Sequence, residues 1–374
     1  MVVVIRLLSI AAVALPIFAG CRLPDPAPDA PARLSPAALI EGGHYLTASR
    51  VLEKALRERP AGEPGNGQIE WLLSRARAAL SQNDPDKLEE AMALAEKALA
   101  ADPSNGSYHV QVAAVAGRMA ERAPLLKKLT LVRRAKQELD AAAADPSQTD
   151  AQWGLMMYYF AAPPLVGGDK AKARQIGERL AASVPDLGRY YAGRLALELR
   201  EPEKAEAFYK QSVGENPLLF DTASALALYY IRTKPDQTKA ERWACQAIHA
   251  DPDRADAWAL LARVHTMCGC WTEAADLAER AERTDPENLS PYFAIAEAAI
   301  ERGEQYQLAA AFLRKYLGRP IEGDQPSEAV ARMHLGTALA HLGQTAEAAK
   351  ELRASVELDP TLESAHNQLK KLGF

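Results

Sequence analysis

The chain predicts an all-α fold, an α-solenoid of about nine stacked helix pairs, and three observations carry that reading. The first is a proline that returns about once every 34 residues: Pro217, Pro252 and Pro286 lie 35 and 34 apart. Pro60, Pro103, Pro146 and Pro185 extend the series upstream at 43, 43 and 39, and Pro360 ends it 74 after Pro286. The second is helical apolar periodicity between these prolines, with no extended stretch that alternates at a period of two. The third is composition. Of 374 residues 48% are apolar but only 6% aromatic, and alanine dominates, which suits thin helical layers better than one thick core. A repeat of this period marks an array in which each unit packs on its neighbours.

The elements follow in order. An apolar run from Leu7 to Ala19 is too short for a spanning helix and ends in Phe18-Ala19-Gly20-Cys21, so residues 1–20 read as a targeting segment. Small residues before a cysteine resemble the lipobox of bacterial lipoproteins, with Phe18 where leucine is usual. The resemblance implies that Cys21 is diacylated and becomes the new N-terminus; the alternative is an uncleaved anchor or an ordinary secretory signal. Arg22 is not the aspartate associated with inner-membrane retention, so the resemblance implies the outer membrane and its periplasmic face. Residues 21–33 carry prolines at 24, 26, 28 and 31 and read as an extended tether.

The array occupies residues 34–373. Its first unit keeps Gly43, Tyr45, Ala48, Ala55 and Pro60 behind a short leading helix from about Ser35, as expected of a terminal cap. The unit from Gln68 to Pro103 has a longer turn through "SQNDPDK". The next carries an insertion, "ERAPLLKKLTLVRRA". The fourth contains "AAPPLVGGDKAKA", where Pro163-Pro164 stops one helix, Gly167-Gly168 allows a tight turn and Asp169 can cap the next helix. Long turns on one edge of a solenoid often carry contacts.

From Ala255 to Pro286 the pattern is clearest. Trp258, Leu261, Ala262 and His265 fall at i, i+3, i+4 and i+7 on one helix face, Gly269 ends that helix, and Ala274, Ala278 and Ala281 line the next. Asp285-Pro286 closes the unit, because proline cannot extend a helix and biases its predecessor to extended backbone. The last unit repeats this with Leu335-Gly336, Gly343, Ala348 and Pro360, before a closing helix around Leu362 to Leu372.

This arrangement of tryptophan, Leu-Ala or Leu-Gly, alanine and proline resembles the tetratricopeptide repeat, with Arg332 where the last unit would carry tryptophan. The resemblance covers nearly all of the array and implies a right-handed superhelix of antiparallel helix pairs. Positions two, five, nine and twelve of each first helix face the concave groove in that family. Carried onto this chain they include Tyr158, Tyr190, Arg194, Tyr229, Arg232, Arg263 and Phe293. Tyrosine and arginine dominate binding hot spots, and an extended or helical peptide with apolar and acidic side chains would suit such a stripe. The lysine and asparagine of a chaperone-type carboxylate clamp are missing from those positions. The Pro-Gly-Gly turn and the insertion are also similar to a family of bacterial envelope repeat proteins.

Cys245, Cys268 and Cys270 cluster with His249 and His265. Five soft ligands on adjacent helices could form a tetrahedral zinc site, but His265 holds a packing position and C-x-C without a second paired motif is weak. A disulfide from Cys245 to Cys268 or Cys270 suits an oxidising envelope better than metal. No H-E-x-x-H, G-x-S-x-G, Walker or G-x-G-x-x-G motif occurs, so neither a catalytic residue nor a cofactor is expected. A net charge of −5 argues against nucleic acid. The expected role is a membrane-anchored periplasmic scaffold that docks protein partners during assembly of secretion, pilus or cell-wall complexes. The alternatives are an accessory subunit of a periplasmic solute-uptake system, which an apolar cavity near Pro163 to Gly168 would favour, and a Cys/His metal protein.

Overall fold

The computed structural model describes residues 23–24, 34–60, 62–81, 84, 86–216, 219–323 and 325–373. Among them lie nine consecutive helix pairs and a closing helix, with no strand. The pairs are α1 (Pro36–Glu41) with α2 (Tyr45–Arg57), α3 (Asn66–Leu80) with α4 (Asp86–Ala101), and α5 (Gly106–Arg122) with α6 (Leu125–Ala142). Then come α7 (Thr149–Ala161) with α8 (Lys170–Ser183), α9 (Leu187–Glu198) with α10 (Pro202–Glu215), and α11 (Phe220–Arg232) with α12 (Gln237–Ala250). The last are α13 (Ala255–Met267) with α14 (Trp271–Thr284), α15 (Ser290–Arg302) with α16 (Tyr306–Leu317), and α17 (Glu328–His341) with α18 (Thr345–Leu358), closed by α19 (Glu363–Lys371). The partners within each pair, and successive pairs, pack on one another, which is the layered solenoid that the proline spacing predicts.

Local chemistry explains the boundaries. The Ser35 side chain accepts the Ala38 N–H and opens the six-residue α1, the short cap expected there. Asp169 accepts the N–H groups of Ala171 and Lys172 and opens α8. Gly269 and Gly343 take positive φ at the turns within their pairs, a backbone that side chains resist. Ala274, Ala278 and Ala281 are fully buried, so that α14 lies close against its neighbours. Gly336 does the same for α17: a Cβ there would come within 2.7 Å of Leu352.

The core is a succession of clusters along the array rather than one centre. They run from α1 to α3, from α3 to α5, from α5 to α9, then without a break from α9 to α18, and finally from α17 to α19. Leu23 packs against the longest of these, and the Arg280 guanidinium donates to the Pro24 carbonyl at 3.0 Å. The tether expected for residues 21–33 is thus held to the solenoid at these two residues. Cys21 and the remaining prolines of the tether, like the targeting segment, lie outside the described residues.

The turn between α7 and α8 is built stiffly. Pro164–Val166 forms one turn of 3-10 helix, Gly167 has φ +93°, and the Tyr158 hydroxyl donates to the Val166 carbonyl. A Cβ on Gly168 would sit 1.7 Å from the Ala162 carbonyl oxygen, which is backbone and cannot step aside. Gly168→Ala is therefore expected to destabilise the protein by roughly 1–3 kcal/mol or more. Gly214→Ala, on α10 with open space around it, should stabilise by about 0.5–1 kcal/mol. Urea denaturation of the two variants checks the contrast, and equal midpoints would refute it.

The array also closes on itself. The Leu46 N–H donates to Glu322 Oε2 at 3.0 Å, Thr47 Oγ1 donates to Glu287 Oε2 at 2.8 Å, and Arg50 Nη2 donates to Glu287 Oε1 at 3.0 Å. His44 Nδ1 lies 3.5 Å from Asp285 Oδ2. These contacts join the first helix pair to the loops that follow α14 and α16, more than 200 residues away in sequence. Glu322 is 1% exposed and His44 2%, so the seam buries ionisable groups.

Candidate functional site

Six of the seven groove residues read from the sequence line one cavity of about 760 Å³: Tyr190 and Arg194 from α9, Tyr229 and Arg232 from α11, Arg263 from α13 and Phe293 from α15. All four are first helices of their pairs, so register alone brings these side chains to one surface. Tyr229, Phe293 and Arg263 are buried and form the floor, whereas Arg194 and Arg232 are exposed at the rim. Phe220, Leu228 and Glu297 complete the lining. Leu228 is the one large apolar side chain of the cavity that is exposed to solvent in the described residues.

The arginines are less open to acidic side chains than the expected tyrosine and arginine stripe. Arg263 donates to the Glu297 and Glu301 carboxylates on α15 and, at 3.5 Å, to the Ala294 carbonyl. Arg232 lies 3.6 Å from the same Glu297. Asp221, Asp256 and Glu198 also line the cavity. Arginines bound in this way fasten α11 and α13 to α15, and their charge is already answered before a partner arrives. Arg194 makes no ion pair among the described residues; its guanidinium lies over the Trp153 ring, 5.3 Å from the centroid. The groove thus offers one such cation, an apolar floor and neutral phenols. Burial raises the Tyr190 hydroxyl above its usual range, and burial together with Glu206 pushes Tyr229 up to about 12.

Tyr158 is not part of this group. It lines a second cavity of about 760 Å³ between α5, α6 and α7, with Ala114, Leu139, Trp153, Met157 and Pro163. That cavity is largely apolar and reaches the Pro-Gly-Gly turn, where its presence bears on a solute-binding role. Trp153, stacked on Tyr191 at 4.6 Å and covered by Arg194, stands between the two sites. It occupies a first-helix position, and its aromatic ring followed by Gly154 is the signal that sequence reasoning missed.

The cysteines pair differently from the expectation. Cys268 and Cys270 are bonded to each other, with Cα atoms 5.4 Å apart, so the bridge from Cys245 to either of them is not formed. The tight turn at Gly269 brings the two sulfurs together, whereas Cys245, on α12, is disulfide-bonded to neither of them. His249 Nδ1 binds the Cys245 carbonyl at 2.7 Å. Burial depresses the basicity of His265, which sits as a neutral packing residue. Among the described residues no group of three or more His, Cys, Asp or Glu side chains is placed to hold a metal ion.

Residues 240–288 and 293–363 match the family model of the tetratricopeptide repeat. These two stretches carry tetratricopeptide repeats. No curated protein matches it. Among solved structures it is similar to a thermophilic tetratricopeptide repeat protein of Thermus thermophilus, at 18% identity over 50% of this chain and 91% of that one, TM-score 0.41. It is also similar to a tetratricopeptide repeat protein of Parabacteroides merdae, at 16% identity over 91% and 96% of the two chains, TM-score 0.39. Yeast Tom70 is similar at 12% identity over 90% and 86%, TM-score 0.46.

Proposed function

We propose that this tetratricopeptide repeat protein is a non-catalytic scaffold anchored by a lipid on Cys21 at the periplasmic face of the bacterial outer membrane. Its groove between α9 and α15 docks an extended or helical segment of an envelope protein. The observation that carries this reading is the convergence of Tyr190, Arg194, Tyr229, Arg232, Arg263 and Phe293 on one preformed cavity. A rigid groove spends little entropy on ordering itself when a partner binds. Because Arg232 and Arg263 are already paired with glutamates, the segment suited to it is mainly apolar with a single acidic group for Arg194. The hold on Leu23 and Pro24 supports an anchor close to the body: three residues reach about 10 Å at most, so an acyl chain on Cys21 would leave near α14.

A photo-crosslinking side chain at Leu228 in the groove, with one at exposed Leu358 on α18 as control, tests the docking. Defined envelope proteins are expected from Leu228 alone, with yield reduced roughly tenfold or more by Arg194→Glu. Equal capture from both positions, or no effect of Arg194→Glu, would overturn it. For the anchor, Cys21→Ala is expected to release the protein from membranes washed at high salt. Retention after that wash would mean another kind of attachment.

A second reading has its own support. The apolar cavity beside Pro163 suits a small amphiphilic solute, as an accessory subunit of an uptake system would need. Saturable binding of such a solute, lost on Met157→Trp, with no protein captured from Leu228, would move this reading to first place.

A further inference from the structure

The three most exposed large apolar side chains among the described residues are Leu125 at 71%, Leu126 at 81% and Leu165 at 89%. They come from two separate departures from the repeat, the insertion that begins α6 and the Pro-Pro-Gly-Gly turn, which touch in the fold. Side chains of this size are not left this open on unrelated elements of one edge without a cost in solubility.

The same edge is basic in a chain of net charge −5. Residues 122–136 hold six cations and no anion. Lys127, Lys128 and Arg133 have no ion pair among the described residues, and Lys170 and Lys172 of α8 lie over the Phe160 and Tyr159 rings next to them. Of the nearby carboxylates, Glu138 pairs with Arg134, Asp140 with Lys136, and Asp169 accepts the N–H groups of α8, which leaves Glu121 at the end of α5 and Glu178 farther along α8 against the larger number of cations. Apolar tips flanked by uncompensated cations match an anionic bilayer surface, whose headgroups attract the lysines while the leucines enter the acyl boundary.

We propose that the edge formed by the start of α6 and the Pro164–Val166 turn is a membrane-contact surface, selective for anionic lipid and independent of any anchor at Cys21. The stiffness of the turn supports this, because it holds Leu165 outward on a backbone that cannot fold it away. Contact there would set the solenoid's orientation on the bilayer, whereas a lipid on Cys21 alone would fix only one point.

Hydrogen exchange on the full chain tests the proposal, with vesicles of phosphatidylcholine alone or mixed with phosphatidylglycerol. This reads the edge itself, so binding through the apolar N-terminal run does not confuse it. Exchange across 124–132 and 163–167 is expected to slow with the anionic vesicles and not with the neutral ones. Lys127→Glu with Lys128→Glu should weaken that protection by roughly an order of magnitude or more, and Leu126→Gln with Leu165→Gln should remove it with unchanged helical content. No slowing at this edge, or equal slowing on neutral vesicles, overturns the proposal. Slowing that rises with protein concentration in the absence of vesicles would assign the edge to a second copy, and protection only by a captured partner protein would assign it to that partner; either result overturns it too.

Discussion

Trp258→Ala is expected to destabilise the protein by about 3–5 kcal/mol, the range for truncating a fully buried aromatic side chain. The indole is completely enclosed, at the middle of the cluster that runs unbroken from α9 to α18. Its Nε1–H donates to the Pro252 carbonyl at 2.9 Å, so it ties α13 to the proline that ended the unit before. Arg280 lies over its ring at 5.2 Å and holds Pro24 with the same guanidinium. Loss of the ring therefore removes core volume, a hydrogen bond and the platform beneath the N-terminal contact together. Against a total stability of roughly 5–15 kcal/mol for a domain, the loss should lower the urea midpoint markedly and expose α12 to α15 first in hydrogen exchange. A wild-type midpoint would refute the packing role assigned to Trp258.

Glu322→Gln is expected to act in the opposite direction, and only at high pH. Burial at the seam, with Glu287 and Asp285 near by, raises the Glu322 carboxyl from 4.5 to about 7. Its Oε1 has no hydrogen-bond partner, while Oε2 accepts the Leu46 N–H. A carboxyl whose folded value lies above its unfolded one binds more protons folded than unfolded between those values, so stability falls as pH rises from about 4.5 through 7. The full loss above pH 8 is roughly 3 kcal/mol. Burial opposes a charge on His44, but Asp285, with Glu322 and Glu287, outweighs it and raises the imidazole above 6.5. Its contribution is present below that value and disappears as pH rises through the folded one, so both groups weaken the seam in the same direction. The amide introduced by the substitution would keep an oxygen for the Leu46 N–H and carry no charge. The variant should match the wild type at pH 5 and exceed it by about 2–3 kcal/mol at pH 8 in urea denaturation. Equal differences at the two pH values would show that Glu322 is not the group that titrates.

Much of the candidate site was legible because it depends on register. Tyr190, Arg194, Tyr229, Arg232, Arg263 and Phe293 sit at equivalent places in successive first helices, and stacking sends them to one surface. Tyr158 obeys the same register, but the long insertion before α7 opens a separate cavity around it, and its hydroxyl is taken up by the Val166 carbonyl. The arginine charges misled the reading for another reason. Glu297 and Glu301 belong to the next unit but one after Arg232 and the next unit after Arg263, and nothing in a linear pattern says that their carboxylates reach back. The cysteines show the limit at short range: two residues at either side of Gly269 bond to each other because the turn folds them together.

The sequence by itself determined the helix pairs, their boundaries, the short first cap and the closing helix. Each of these rests on contacts within about forty residues, where proline, glycine and alanine periodicity suffice. It also located the two interruptions that became the exposed leucine edge. Only the tertiary structure decided that the array closes, placing His44, Leu46 and Thr47 against Asp285, Glu287 and Glu322. Closure is the sum of small rotations from one unit to the next. A few degrees in each, set by side-chain packing along the whole chain, separate an open superhelix from one whose first turn meets its later ones.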